Sequence, residues 1–94
     1  MVAAYDHVRL GRVDRYYEMI SGVRAALMAA GRGYWASRLL QAERGASTSG
    51  EAITRIGLVL EELAGSDVPD ALGIRNSVDA AVDYGRELWN ASNR

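Results

Sequence analysis

The chain has no cysteine, no lysine and no phenylalanine, and only one proline and one histidine. Without cysteine there are no disulfides, thiolate nucleophiles or zinc–sulfur sites, which fits a protein of a reducing compartment and predicts a cytoplasmic location. Without lysine there is no Schiff-base chemistry and no phosphate-binding P-loop. All 11 basic residues are arginine, set against 12 acidic ones for a net charge of −1. So balanced a charge provides no field to gather nucleic acid or an anionic lipid surface, and neither is an expected partner. No stretch approaches the roughly 18 uncharged apolar residues that a membrane span needs, and the first ten residues do not read as an export signal.

What the chain does have is helical periodicity. Val13, Tyr16, Ile20, Val23, Leu27 and Ala30 repeat at alternating three- and four-residue intervals. So do Trp35, Leu39 and Ala42, then Ile53, Ile56, Leu60 and Leu63, then Ala71, Ile74, Val78, Ala81, Gly85 and Leu88. Each set forms one apolar stripe on a helix, and a helix with one apolar side buries it against another element. The expected fold is all-α: a single domain over residues 1–94, built as an up-and-down antiparallel four-helix bundle with a short second helix. A bundle left partly open by that short helix is one that dimerises.

Punctuation between the stripes sets the expected boundaries. The first helix starts between Asp6 and Asp14, either of which can cap it, and ends at Gly31 and Gly33. The second covers Tyr34 to Arg44. Thr48 and Glu51 have the spacing of a capping box ahead of the third helix, Ser49 to Ala64, which closes at Gly65. Pro69 restarts the chain near a helical first turn. A fourth helix then reaches about Asn90, continuous through Gly73 because the stripe keeps its phase, with a fresh start at Asn76 or Ser77 as the alternative.

Residues with chemical potential are few. Ser47, Thr48 and Ser49 crowd hydroxyls around a helix start, where free N–H groups can hold an anion, with Thr48 and Ser49 the anion-binding candidates. Simple capping by one hydroxyl is the competing reading. His7 has no second histidine with which to share a metal, and no serine lies in a GxSxG elbow, so no catalytic, metal or cofactor residue is assigned. Asp79, Asp83 and Glu87 read as a solvated face, with Asp79 and Arg75 as i, i+4 neighbours. Tyr16, Tyr34, Trp35, Tyr84 and Trp89 are placed near helix ends, with Trp35 and Trp89 filling the core. Tyr34, Trp35 and Arg38 combine the residue types that anchor protein interfaces and form the candidate partner surface. Gly85 lies on the stripe itself, which predicts a close helix approach beneath Trp35 or Trp89.

The strings YWASRLL (residues 34–40) and GASTSGEAITRIGLVL (residues 45–60) resemble a pattern of small uncharacterised bacterial all-helical proteins. The pair AITRIGL (residues 52–58) and DVPDAL (residues 67–72) is similar to small all-helical immunity proteins that neutralise interbacterial toxins. That resemblance implies a cytoplasmic protein whose work is to cover another protein's active site, and it transfers no functional residue. The chain also has the length of secreted helical hairpins with a WxG turn, but Trp35 is followed by Ala36 and Ser37.

These readings converge on a small helical protein, not an enzyme, that acts by protein–protein contact. It is immunity-like or regulatory, with a protein partner or a second copy of itself. The alternative is an anion- or ligand-binding module using the helix start from Ser47 to Glu51.

Overall fold

The computed structural model describes the backbone of residues 2–92 and the side chains of residues 11–91. Its described residues form five helices and no strand: α1 (Val2–Ala29), α2 (Gly33–Arg44), α3 (Ser49–Ala64), α4 (Val68–Leu72) and α5 (Arg75–Ser92). The expected all-α class holds. At 1.5 Å per residue, the 28 residues of α1 span about 42 Å, and this helix sets the 45 Å long dimension of the molecule.

The first helix begins earlier than expected. Asp6 and Asp14 both fall inside α1 rather than at its start. Nothing before Gly11 breaks a helix, so propensity carries the turn pattern upstream to Val2. At the other end, the Gly31 N–H bonds the Met28 carbonyl at 3.1 Å and the Arg32 N–H bonds that of Leu27 at 2.8 Å. This is a Schellman ending around a left-handed glycine, Gly31 at φ 76°.

The expected continuous last helix is two helices. Gly73 adopts φ 70°, its N–H bonds the Asp70 carbonyl and the Ile74 N–H bonds that of Pro69, forming a second Schellman ending that closes α4 after five residues. The following helix starts at Arg75, ahead of both Asn76 and Ser77. The Arg75 guanidinium donates to the Ala64 carbonyl at 2.6 Å, to the Ser66 carbonyl at 3.3 Å and to both carboxylate oxygens of Asp70. One side chain thus ties the end of α3, the intervening turn, α4 and the start of α5. It also approaches Asp79 at 3.6 Å, the expected i, i+4 pair.

Each of the four long helices packs against two others, in the order α1, α2, α3, α5 and back to α1, while α4 touches α3 and α5. Among the described residues, no Cα approach within 8 Å links α2 to α5 or α1 to α3. Three seams carry an arginine–carboxylate pair: Arg24–Glu43 between α1 and α2, Arg38–Glu62 between α2 and α3, and Arg86–Glu61 between α3 and α5. The core is made by the predicted stripes, with Tyr16, Ile20, Val23, Leu27, Leu39, Ile53, Ile56, Leu60, Leu63, Val78, Ala81 and Leu88 all buried. Ala36, Ala52, Val59, Val68 and Pro69 add to it. Val13 is half-buried at the margin, and two further stripe positions fall outside the core. Ala30 lies just past the end of α1, and Ala71 lies on the outer side of the isolated α4 turn, so both are exposed.

The fourth seam, α1 against α5, is closed by tyrosine. Tyr16, midway along α1 rather than at a helix end, is fully buried, and its ring lies 6.2 Å from that of Tyr84 at 10°. Tyr84 donates its hydroxyl to the Arg12 carbonyl at 3.0 Å. The close approach expected at Gly85 is real, but the partner is Tyr16 and neither tryptophan. A Cβ at Gly85 would lie 2.8 Å from the Tyr16 hydroxyl oxygen and 3.0 Å from a ring carbon. That hydroxyl is buried with no hydrogen-bond partner. Burial, with the Tyr17 phenol as a lesser contribution, pushes the Tyr16 phenol above its ordinary pKa and keeps it neutral.

An unpaired buried hydroxyl is destabilising, so Tyr16→Phe should raise the unfolding free energy by about 1 kcal/mol in urea denaturation. Gly85→Ala should lower stability even though alanine favours the helix by about 1 kcal/mol, because overpacking against a rigid ring typically costs about 1–3 kcal/mol. A Gly85→Ala variant more stable than the parent would show that the Tyr16 ring has room to move.

Candidate interaction surfaces

The helix start at Ser47 to Glu51 folds as its residues dictate. Thr48 takes an extended backbone as N-cap of α3, and its hydroxyl oxygen accepts from the Glu51 N–H at 3.1 Å. Glu51 turns back, and its carboxylate accepts from the Ser47 N–H at 3.2 Å. The same carboxylate pairs with Arg55 at 2.7 Å, while Arg55 also donates to the Gly45 carbonyl at 3.1 Å. A carboxylate of the chain itself therefore lies against the positive end of α3, where an outside anion would bind. Ser47 and Ser49 are exposed beside it.

Tyr34, Trp35 and Arg38 are brought together on the first turns of α2. The tyrosine and tryptophan rings meet edge to face at 5.5 Å, and the Arg38 guanidinium lies 5.8 Å from the centre of the first and 5.4 Å from the second. Its far side pairs with Glu62 of α3. The hydrogen bond to that carboxylate is the main cause that raises the Arg38 pKa, so the cation is permanent. Trp35 is half-buried and packs against the core, whereas Tyr34 is 68% exposed. Met28, 61% exposed, stands on the other side of the α1–α2 turn.

A second surface was not assigned from the sequence. Between α3 and α5 runs a half-open groove of about 290 Å³, with Ile53, Val82 and Gly85 toward its base and Gly57 on the α3 side. Leu58 on one wall is 60% exposed and Trp89 on the other is 46% exposed, so Trp89 does not fill the core as expected. The Arg86–Glu61 pair, at 2.5 Å, bridges the two walls. One signal was available: Leu58 is out of phase with the stripe at positions 53, 56, 60 and 63, which puts a large apolar side chain on the outer face.

His7 lies outside the residues whose side chains are described. Among the described residues there is no group of three or more His, Cys, Asp or Glu placed to hold a metal ion, and no helix is long and apolar enough to cross a membrane. No protein family, curated protein or solved structure matches the chain.

Thr48→Ala should cost about 1 kcal/mol of stability, as loss of an N-cap does, and Ser49→Ala less than half of that. If the start of α3 held an anion, both substitutions would also abolish phosphate-induced thermal stabilisation, which differential scanning calorimetry with and without phosphate would register. The Arg75 hydrogen bonds hold the Asp70 carboxyl below its ordinary range of about 3.8. A depressed folded-state pKa stabilises above the unfolded value and is lost as pH falls through the folded one. NMR titration should therefore find Asp70 ionised at a pH where a free aspartate is half-protonated, and Arg75→Ala should return it to the ordinary range.

Proposed function

We propose that the chain is a protein-interaction module, an up-and-down four-helix bundle of α1, α2, α3 and α5 that presents the start of α2 to a protein partner. The pairwise packing around the ring and the short connections support the bundle reading. The observation that carries the functional reading is the Tyr34–Trp35–Arg38 cluster. Tyrosine, tryptophan and arginine dominate the residues that anchor protein interfaces, and anchors are most effective when little rotamer freedom remains to be lost on binding. Here Trp35 is fixed by the core, Arg38 is held between two rings and Glu62, and Tyr34 is propped against both while its ring faces solvent.

The role is immunity-like or regulatory, carried out in the cytoplasm by covering a surface of another protein and without catalysis by this chain. The start of α3 is the weaker site for a ligand, since the Thr48 hydroxyl already takes the Glu51 N–H and the Glu51 carboxylate the Ser47 N–H beside it.

The test is a partner recovered on the tagged chain from host lysate, followed by calorimetric titration of that partner with variants. Tyr34→Ala should weaken binding by about 30-fold, in line with a hot-spot residue, while changing fold stability by less than about 0.5 kcal/mol. Trp35→Ala should weaken binding by more than its loss of stability explains. Unchanged affinity in the Tyr34 variant would sink this reading.

A further inference from the structure

We propose that the groove between α3 and α5 is a self-association face, on which a second copy of the chain docks about a two-fold axis. This rests on residues separate from the α2 cluster.

The starting point is a glycine with no explanation inside the chain. Gly57 lies in the middle of α3, where glycine weakens a helix, and a Cβ added there would meet nothing within 4 Å. Gly85 is different, because its missing side chain is the seat of Tyr16. What glycine at position 57 provides is a notch into which a neighbouring chain can sink. Next to that notch stands Leu58, and across the groove stands Trp89, both large, apolar and substantially exposed.

Gly57, Leu58 and Trp89 all line the groove, so the notch and both projections share one face. Under a two-fold, a projection of one copy seated in the notch of the other is matched by the same contact in reverse. The charges follow the same rule. One wall contributes Glu61 and the other Arg86, opposite in sign and already within 2.5 Å of each other. This pair leaves the rim with no net charge, which selects against a strongly acidic or basic partner. It also lets a second copy bring its own Arg86 to Glu61 and its own Glu61 to Arg86. The groove between α1 and α5 also holds a glycine with open space, Gly22, but none of the exposed large hydrophobics lines it.

The test is the mass of the full chain in solution, measured by sedimentation equilibrium from micromolar to millimolar concentration. The parent should approach twice 10.2 kDa within that range. Leu58→Glu and Gly57→Leu should each weaken the dimer by at least about tenfold, on the scale of a buried anchor. Both positions are open in the single chain, so helical circular dichroism should stay at the parental level. Glu61→Arg and Arg86→Glu should each be monomeric alone, and an equimolar mixture of the two should regain the doubled mass, because the charges then oppose only across the interface. A parent that keeps the mass of one chain throughout, a dimer indifferent to Leu58→Glu and Gly57→Leu, or a charge-variant mixture that stays monomeric would each overturn the proposal.

Discussion

The contact between the Tyr16 phenol and Gly85 is the constraint on which the rest of the structure depends. Its geometry leaves no room for even one added carbon, so the spacing and register of α1 against α5 are set there. With α5 fixed, Val78, Ala81 and Leu88 face the core and Val82 and Trp89 face the groove beside α3. The stacked Tyr84 ring and its bond to the Arg12 carbonyl hold the same register one face over. The unpaired hydroxyl is what this arrangement leaves unsatisfied, a local cost carried by a ring whose loss would leave a void between two helices.

What could be read from the sequence and what could not divide along a physical line. The third helix was legible to its end residues, because Thr48, Glu51 and Gly65 act within one turn of the boundary they set. The buried stripes were legible for a similar reason, since periodicity reports which face is buried without naming its partner. The break at Gly73 was legible only as the alternative to a continuous helix, because an apolar stripe that stays in phase gives no sign that one glycine has turned left-handed, and the Arg75 tie spans spacings of five, nine and eleven residues. The neighbour of Gly85 was not legible, because it depends on how α1 slides along α5. Trp89 went astray for a related reason: a large apolar residue near a stripe is core only if another helix crosses there, and α3 leaves it at a groove wall.

The Tyr34, Trp35 and Arg38 cluster was legible as a set of residue types, but its rigidity was not. Nothing in the sequence ties Arg38 to Glu62, twenty-four residues on, and without that tie the Tyr34 ring would be an ordinary surface aromatic. The two surfaces adjoin along α3. Among the described residues α2 and α5 make no approach within 8 Å, but adjacent residues of α3 serve both surfaces, with Glu62 paired to Arg38 of α2 and Glu61 to Arg86 of α5.

The Arg75 tie has a consequence for how the chain tolerates sequence change. Two of its three anchor points, at Ala64 and Ser66, are main-chain carbonyls, which every amino acid supplies. Substitution at either position leaves the acceptor in place as long as the backbone keeps its course, whereas at position 75 only a long side chain with several donors in a fixed fork can reach all of them. The α3–α5 connection should thus tolerate change at its two main-chain acceptors, while Asp70, which accepts through its carboxylate, and the single donor at position 75 are tied to their side chains.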